Sequence, residues 1–245
     1  MRLGAMITAR FDSERYPGKV VAKIMGKPIL AHLIEQLKEL LFVDEIIVCT
    51  SNLIHDDPLE EIANEYQVGL TRGHPDILIE RHMQCIRGFD LDAVLDICGD
   101  APFFDRRITQ RVIDYYRTVK EYDVYGITPP RDLAGYVWQV TIKMRAWYEY
   151  FEEYYYNSPG KYRQLNASQY WWLPMALEGK EHPFATKEIP IMDLVDLQQS
   201  LFKNTVDYPI ELAWINLICE HLGHRPETLE DWFQCFKEIK AVKEV

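Results

Sequence analysis

The 245-residue sequence has no run of about 18 apolar residues, the length that a membrane-spanning helix needs. No charged-then-apolar export signal precedes its first strand-like segment. The five cysteines are odd in number and widely spaced, without a Cys-x-x-Cys pair, and the seven histidines lack metal-ligand spacing. These absences predict a cytoplasmic protein with reduced thiols, no zinc site and no membrane association.

Positive charge is also scarce, because the formal net charge is -11 and such a chain repels phosphates and nucleic acid on average. The first 27 residues are an exception, with a local balance of +4: Arg2, Arg10, Arg15, Lys19, Lys23 and Lys27 against Asp12 and Glu14. A small basic patch in an acidic protein indicates one local anionic ligand and argues against a nucleic-acid surface. A solvated surface loop is the alternative interpretation.

The first 125 residues alternate short apolar runs with amphipathic stretches. The predicted strands are Leu3–Thr8, Glu45–Thr50, Val68–Thr71 and Ala93–Cys98. The predicted helices begin after Pro28, after a cap at Asp56 or Asp57 with Pro58 in the first turn, at Ile77, and after a cap at Asp105. Strands separated by helices of 10–15 residues predict an α/β fold with a doubly wound, mostly parallel sheet.

The turn after the first predicted strand carries Arg10, Ser13, Arg15 and Lys19 around Gly18. Open α/β sheets bind ligands at the carboxyl edge of their strands, where this turn is expected to lie. Backbone amides together with arginine and lysine side chains suit a polyphosphate. The turn therefore predicts a nucleoside triphosphate site.

Asp100 follows the fourth predicted strand through Gly99, so its carboxylate is expected at the same edge. A carboxylate facing a triphosphate is repulsive unless a divalent cation lies between them. Mg²⁺ binds one or two carboxylates together with phosphate oxygens, which makes Asp100 a candidate metal ligand. Read alone, Asp100 could equally cap a turn before Pro102.

These motifs resemble the pattern of the sugar-acid cytidylyltransferases, the family of the CMP-Kdo and CMP-acylneuraminate synthetases. The matching segments are Ala9–Lys19 (ARFDSERYPGK), Gly26–Leu30, Thr50-Ser51, Asp56–Pro58, Arg72-Gly73 and Gly99–Pro102. The pattern is most similar to the spore-coat polysaccharide biosynthesis protein F group. The likeness covers about residues 2–115 and resumes at Thr205–Leu212.

The resemblance implies a Mg²⁺-dependent enzyme that couples CTP to the hydroxyl of an anionic, Kdo- or nonulosonate-like sugar acid and releases pyrophosphate, in surface polysaccharide biosynthesis. It implies catalytic roles for Arg10, Lys19, Asp100 and Asp207, with both aspartates as metal ligands. The implied nucleotide-binding residues are Ala9, Arg10, Ser13, Arg15, Lys19, Arg72 and Cys98. From the residues alone, Asp207 could instead cap a helix that starts near Pro209.

Two substitutions depart from the family pattern. Cys98 stands where relatives usually have glutamine, so the preference for CTP depends mainly on the resemblance. Glu211 stands where they usually have aspartate and is given no role.

The middle of the chain is rich in aromatic residues, with 13 of the chain's 31 between Tyr136 and Trp172. The resemblance implies an insert at 130–190 in one nucleotidyltransferase domain, 1–245, which binds the acceptor and forms a homodimer. Aromatic faces can pack on sugars or across an interface, and ordinary core packing is the alternative. Lys143, Lys161 and Arg163 are candidate partners for an acceptor carboxylate.

Two other function classes remain open. A nucleotidyltransferase of the same fold could use another base or a non-sugar acceptor, and it would differ at Arg72, Cys98 and the aromatic insert. A non-catalytic paralogue could act as a binding module. The intact set of Arg10, Lys19 and the two aspartates argues against that second class.

Overall fold

The computed structural model describes residues 1–127, 141–157, 184–189 and 205–228, together with positions 230–232, 234, 235 and 238. The strands in these ranges are β1 (Leu3–Thr8), β2 (Lys23–Ile24), β3 (Lys27–Pro28), β4 (Glu45–Ser51), β5 (Gly69–Gly73), β6 (Ala93–Cys98), β7 (Val124–Ile127), β8 (Thr141–Met144) and β9 (Thr186–Ile189). The α-helices are α1 (Ile29–Lys38), α2 (Asp57–Glu65), α3 (Leu78–Gly88), α4 (Arg106–Thr118), α5 (Arg145–Asn157) and α6 (Pro209–Leu222).

A seven-stranded sheet in the order β5-β4-β1-β6-β8-β7-β9 forms the centre of the fold. Strand β1 pairs in parallel with β4 and β6, and β4 pairs in parallel with β5. Strand β8 is antiparallel to both β6 and β7, while β9 is parallel to β7. The predicted doubly wound, mostly parallel sheet is therefore confirmed, and the predicted strand ends agree within two residues. Strands β2 and β3 form a separate two-stranded ribbon.

Helices cover the sheet on both faces, which explains why β1 is an unbroken apolar run rather than an alternating one. Leu3, Ala5 and Ile7 of β1 belong to a core shared with α1, α4 and α6. Met6, between them, belongs to the opposite core with α3 and α5. Side chains of a strand alternate between faces, so one strand supplies both cores.

The helix starts were predicted with mixed success. Asp105 caps α4 as predicted, because its side chain accepts the backbone N–H groups of Arg107 and Ile108. Asp56 precedes α2 but its carboxylate does not cap that helix. Asp56 therefore occupies the predicted cap position without capping through its side chain, because its oxygens face the β1 loop and Ser51.

Helix α6 begins at Pro209, as predicted, but Asp207 does not cap it. The carboxylate of Glu211 instead accepts the backbone N–H groups of Asp207 (2.5 Å) and Tyr208 (2.9 Å). Glu211, to which the sequence assigned no role, therefore closes the start of this helix. The Asp207 carboxylate is left to point at the carboxyl edge of the sheet.

Within the predicted insert, β8, α5 and β9 belong to the central sheet and its flanking layer. Trp147, Tyr148, Phe151 and Tyr155 of α5 are buried, which for these aromatics agrees with core packing. Lys161, Arg163 and the aromatics at 136, 138, 162 and 170–172 lie outside the described residues. No helix in the described ranges is long and apolar enough to cross a bilayer.

Candidate active site

The loop after β1 is folded tightly on itself at the carboxyl edge of the sheet. The Phe11 carbonyl accepts the N–H of Ser13 (3.1 Å) and of Gly18 (2.7 Å). Gly18 has φ +75°, a left-handed conformation that favours glycine, and a Cβ there would lie 3.0 Å from the Phe11 ring. At the loop entrance, the Ala9 N–H donates to the Cys49 carbonyl of β4 at 3.2 Å. The predicted phosphate loop thus has a defined closed shape.

Lys19 leaves this loop at the start of a 3₁₀ turn, Lys19–Val21, and lies between two carboxylates. Its Nζ is 2.6 Å from Asp100 Oδ2 and 3.1 Å from Asp207 Oδ1. The side chains of Lys19 and Asp207 are only 8% and 9% exposed. The fold therefore brings together three predicted catalytic residues from distant parts of the sequence.

Backbone contacts fix these carboxylates. The Gly99 N–H donates to the Thr8 carbonyl at 2.9 Å, and a Cβ on Gly99 would lie 2.6 Å from Ala9 Cβ. Only glycine allows the turn after β6 to approach the β1 loop so closely. The Val206 N–H donates to the Asp100 carbonyl at 2.7 Å, which attaches the segment carrying Asp207 to the same turn.

The two predicted loop arginines point in different directions. Arg15 Nη2 is 2.5 Å from Asp207 Oδ1, and its guanidinium lies 5.8 Å from the centre of the Tyr208 ring. Arg10 Nη1 donates to the Pro75 carbonyl at 2.8 Å, so this side chain reaches the loop between β5 and α3. Arg15 therefore meets Lys19 at the Asp207 carboxylate, whereas Arg10 lies beside this group of residues. Ser13, partly buried, contributes its backbone N–H to the loop.

The guanidinium of Arg72, the predicted base-binding residue, is engaged in contacts around the end of β4. It donates to the carbonyls of Ser51 (3.1 Å) and Leu53 (2.6 Å), and it pairs with Asp57 (2.7 Å) and Glu60 (2.5 Å). The hydrogen bonds that the guanidinium donates to these two carboxylates raise the pKa of Arg72. Its role toward a base stays a prediction.

Cys98 ends β6 opposite Thr8 in the parallel register. Burial raises the pKa of its thiol to about 12, so the group is protonated at neutral pH. A thiol is a weak hydrogen-bond donor compared with the glutamine amide usual at this position. Base recognition by Cys98 also stays a prediction.

The pair Asp100 and Asp207 fits a bound Mg²⁺ ion. Both carboxylates reach one ammonium group, so a single small cation can contact both. Oxygen ligands are those that Mg²⁺ prefers. The described residues contain no cluster of three or more potential metal ligands, so the other positions would be left to phosphate oxygens and water.

Asp56 and Lys143 stand out in the sequence, which does not predict the contacts that they make in the structure. Asp56 is fully buried and accepts the N–H of Phe11 at 2.6 Å. Lys143 is held by Asp96 (2.8 Å) and lies 4.8 Å from the centre of the Trp147 ring. Lys143 is thus already paired within the protein. The sequence held one signal for the role of Asp56. Two aspartates, Asp56 and Asp57, precede Pro58, and a helix start needs only one cap, so the other carboxylate was available for a different contact.

Residues 5–220 match the family model described as Cytidylyltransferase. The chain belongs to this cytidylyltransferase family. The prediction of a nucleotidyltransferase enzyme is thereby confirmed at the level of the family, as is the sugar-acid resemblance. A special relation to the spore-coat group stays a prediction.

Relatives of known name agree with this membership. The 3-deoxy-manno-octulosonate cytidylyltransferase of Christiangramia forsetii is 29% identical over 238 residues, 94% of this chain and 94% of that one. The enzyme of the same name from Trichlorobacter lovleyi is 31% identical over 114 residues. That match covers 46% of this chain and 44% of the relative, so the matched region is less than half of either protein's length.

Solved structures show the same fold. A cytidylyltransferase from Leptospira borgpetersenii has a TM-score of 0.77 at 21% identity, covering 100% of this chain and 96% of that one. A CMP:2-keto-3-deoxy-manno-octonic acid synthetase, solved in complex with CTP, has a TM-score of 0.64 at 16% identity. That likeness covers 91% of this chain and 100% of the synthetase. At these identities the likeness concerns the fold.

Proposed function

We propose that this chain transfers CMP from CTP to a hydroxyl group of an anionic sugar acid and releases pyrophosphate. The observation that carries the proposal is the convergence of Asp100 and Asp207 on the Lys19 ammonium at the carboxyl edge of the sheet. A basic loop and two carboxylates at one point suit a triphosphate that binds together with a divalent cation.

Each side chain has a role in this reaction. Lys19 and Arg10 would bind the β- and γ-phosphates, with Arg15 assisting, and would stabilise pyrophosphate as it leaves. Asp100 and Asp207 would hold Mg²⁺, which neutralises phosphate charge when bound. The acceptor oxygen would bond to the α-phosphorus in line as the bond from that phosphorus to pyrophosphate breaks, and the hydroxyl proton would pass to solvent.

The ion pairs of the free protein supply a reason why Mg²⁺ should strengthen nucleotide binding. Without nucleotide, Lys19 and Arg15 neutralise the two carboxylates. When the triphosphate and Mg²⁺ enter together, the cations can turn to phosphate oxygens while the carboxylates turn to the metal. Lys19 and Arg15 cannot neutralise the carboxylates and the phosphates at the same time, so nucleotide alone is expected to bind more weakly than nucleotide with Mg²⁺.

The names of the relatives support CTP and a sugar acid such as 3-deoxy-manno-octulosonate as substrates. We extend the proposal to a cytoplasmic homodimer acting in surface polysaccharide synthesis. Cys98, which stands where relatives usually have glutamine, is the reason for a second candidate, a transferase of the same fold with another base or a non-sugar acceptor.

The test begins with thermal stability against CTP, UTP, ATP and GTP, each with and without Mg²⁺, because a ligand of the native state raises stability. Pyrophosphate release with Kdo and with nonulosonic acids follows. The proposal expects a shift selective for CTP, larger with Mg²⁺, and release with a sugar acid. Selectivity for another base would favour the second candidate, and no shift with any nucleotide would favour a non-catalytic paralogue.

Variants of the carboxylates test the assigned site. Asp100→Asn and Asp207→Asn should remain folded with little turnover. Asp90→Asn is a matched control, because the Asp90 side chain is 90% exposed and lies outside the site. Full activity in either site variant would contradict the metal assignment.

A further inference from the structure

Asp56 is a fully buried carboxylate that joins two loops at the edge of the sheet. Its Oδ1 accepts the backbone N–H of Phe11 at 2.6 Å, in the loop after β1. Its Oδ2 accepts the backbone N–H of Ser51 at 3.0 Å and also the Ser51 hydroxyl, at the end of β4. Both oxygens are therefore used, one on each loop.

The burial of this carboxylate depends on those donors. An ionised carboxylate is costly to remove from water unless hydrogen bonds or an opposite charge compensate. No ion pair to Asp56 occurs in the described ranges, so the Phe11 and Ser51 donors supply the direct compensation, and the positive charge of buried Arg81 adds a longer-range attraction. Such bonds to a charged acceptor are about twice as strong as neutral ones, which makes the link between the loops a firm one.

A short series of contacts connects Asp56 to the backbone next to Lys19. The Phe11 N–H is held by Asp56, and the Phe11 carbonyl accepts the Gly18 N–H at 2.7 Å. The Phe11 ring also packs against Gly18, the residue directly before Lys19. The position of the Lys19 backbone thus depends on Phe11, which in turn depends on the buried carboxylate.

We infer that Asp56 is a positioning residue for the phosphate loop, acting through Phe11 and Gly18 without touching the nucleotide. The inference rests on the proposed function, in which residues 9–19 bind phosphates. It assigns to Asp56 the task of holding that loop closed before the nucleotide arrives. A preformed loop binds a polyphosphate more tightly, because less backbone freedom is lost on binding.

The test substitutes Asp56→Asn, which keeps the size of the side chain. An amide has one acceptor oxygen, so its NH₂ group must face either the Phe11 or the Ser51 N–H, donor against donor. Asp105→Asn is the matched control, because Asp105 is also fully buried and also accepts two backbone N–H groups, at the start of α4.

Two measurements are made on wild type and both variants. The first is hydrogen–deuterium exchange of the peptide covering residues 9–19, without nucleotide. The second is the affinity for Mg²⁺–pyrophosphate by calorimetry. We expect faster exchange confined to this peptide and the end of β4 in Asp56→Asn, with about tenfold weaker pyrophosphate binding. Asp105→Asn should match wild type in both.

Unchanged exchange of this peptide in a folded Asp56→Asn protein would overturn the inference. If that variant does not fold, Ser51→Ala decides, because it removes one of the donors to Asp56 and should loosen the same peptide to a smaller extent. Unchanged exchange in Ser51→Ala would then overturn it. If wild type binds no pyrophosphate, the proposed function fails, while the exchange of the free protein still tests the role of Asp56.

Discussion

At the scale of single residues, Lys19 joins the two carboxylates of the candidate site, Asp100 and Asp207. Replacing it in Lys19→Met leaves Asp100 and Asp207 facing each other, with Arg15 as the remaining cation. Breaking a buried ion pair from one side costs about 3 kcal/mol or more, and losing a charge that binds the leaving phosphates costs about 100-fold in turnover. We expect both effects in urea unfolding and in pyrophosphate release.

The same variant has a distinctive metal response. Without the ammonium between them, the two carboxylates repel each other, so Mg²⁺ should stabilise Lys19→Met more than wild type. Lys27→Met is the control, since Lys27 pairs with Glu35 at the surface and its side chain is 40% exposed. Exposed pairs contribute about 0–1 kcal/mol. Equal Mg²⁺ responses in all three proteins would argue against a metal between the aspartates.

Two buried histidines, His32 and His82, have a pKa lowered by burial, and His82 is the one with the larger expected effect on stability at mildly acidic pH. Burial lowers its pKa to about 3, while in the unfolded chain the value is about 6.5. Between these values the unfolded state binds the proton and the folded state does not, so stability is lost as pH falls below 6.5. The loss from this group between pH 7 and pH 5 is about 2 kcal/mol.

The His82 prediction is tested by urea unfolding at the two pH values. In His82→Gln an amide can still hydrogen-bond the Thr8 hydroxyl, which lies 2.9 Å from His82 Nε2. The variant should lose about 2 kcal/mol less than wild type over this interval. His55→Gln, at an exposed position, should keep the wild-type difference. An unchanged pH dependence in His82→Gln would contradict the assignment.

At the scale of elements, the turn after β6 tolerates only glycine at position 99. Gly99→Ala would place a methyl group 2.6 Å from Ala9 Cβ and 2.8 Å from the Thr8 carbonyl, so the phosphate loop and the Asp100 turn must separate. We expect a loss of about 1–3 kcal/mol in unfolding free energy and a fall in activity. Gly88→Ala, in α3 with no atom within 4 Å, should be neutral or stabilising by up to about 1 kcal/mol. Equal stability of the two variants would contradict the close approach.

The elements also show what the sequence could and could not predict. The short apolar runs between predicted helices were enough to predict β1, β4 and β6, because a strand buried on both faces is apolar along its whole length. Local spacing could not place Asp207 beside Lys19, since that contact joins residues 188 apart in the chain. It was anticipated only through the family resemblance. The side chain of Asp56 does not cap α2 for the same reason, as a tertiary contact uses both carboxylate oxygens.

At the scale of the whole molecule, the first 27 residues differ from the rest of the chain in the sign of their net charge. The remainder of the chain sums to -15 against +4 in the first 27 residues. In the structure, Arg15 and Lys19 of that basic segment meet acids from the rest of the chain. The basic segment is therefore paired with acids within the protein, and its binding of one small anionic ligand, like the absence of nucleic-acid binding, stays a prediction.

The quaternary structure provides the last prediction. Tyr156 of α5 and both Ile210 and Leu217 of α6 are large and well exposed, and the family resemblance implies a dimer-forming segment within 130–190. Burying such side chains against a second copy removes apolar surface from water, which favours association. We therefore predict a homodimer, with a mass about twice 28.9 kDa by light scattering coupled to size exclusion. Dilution through the concentrations used for the activity assay should leave that mass unchanged. A mass of one chain throughout, in a preparation that releases pyrophosphate, would show that the site works within a single copy.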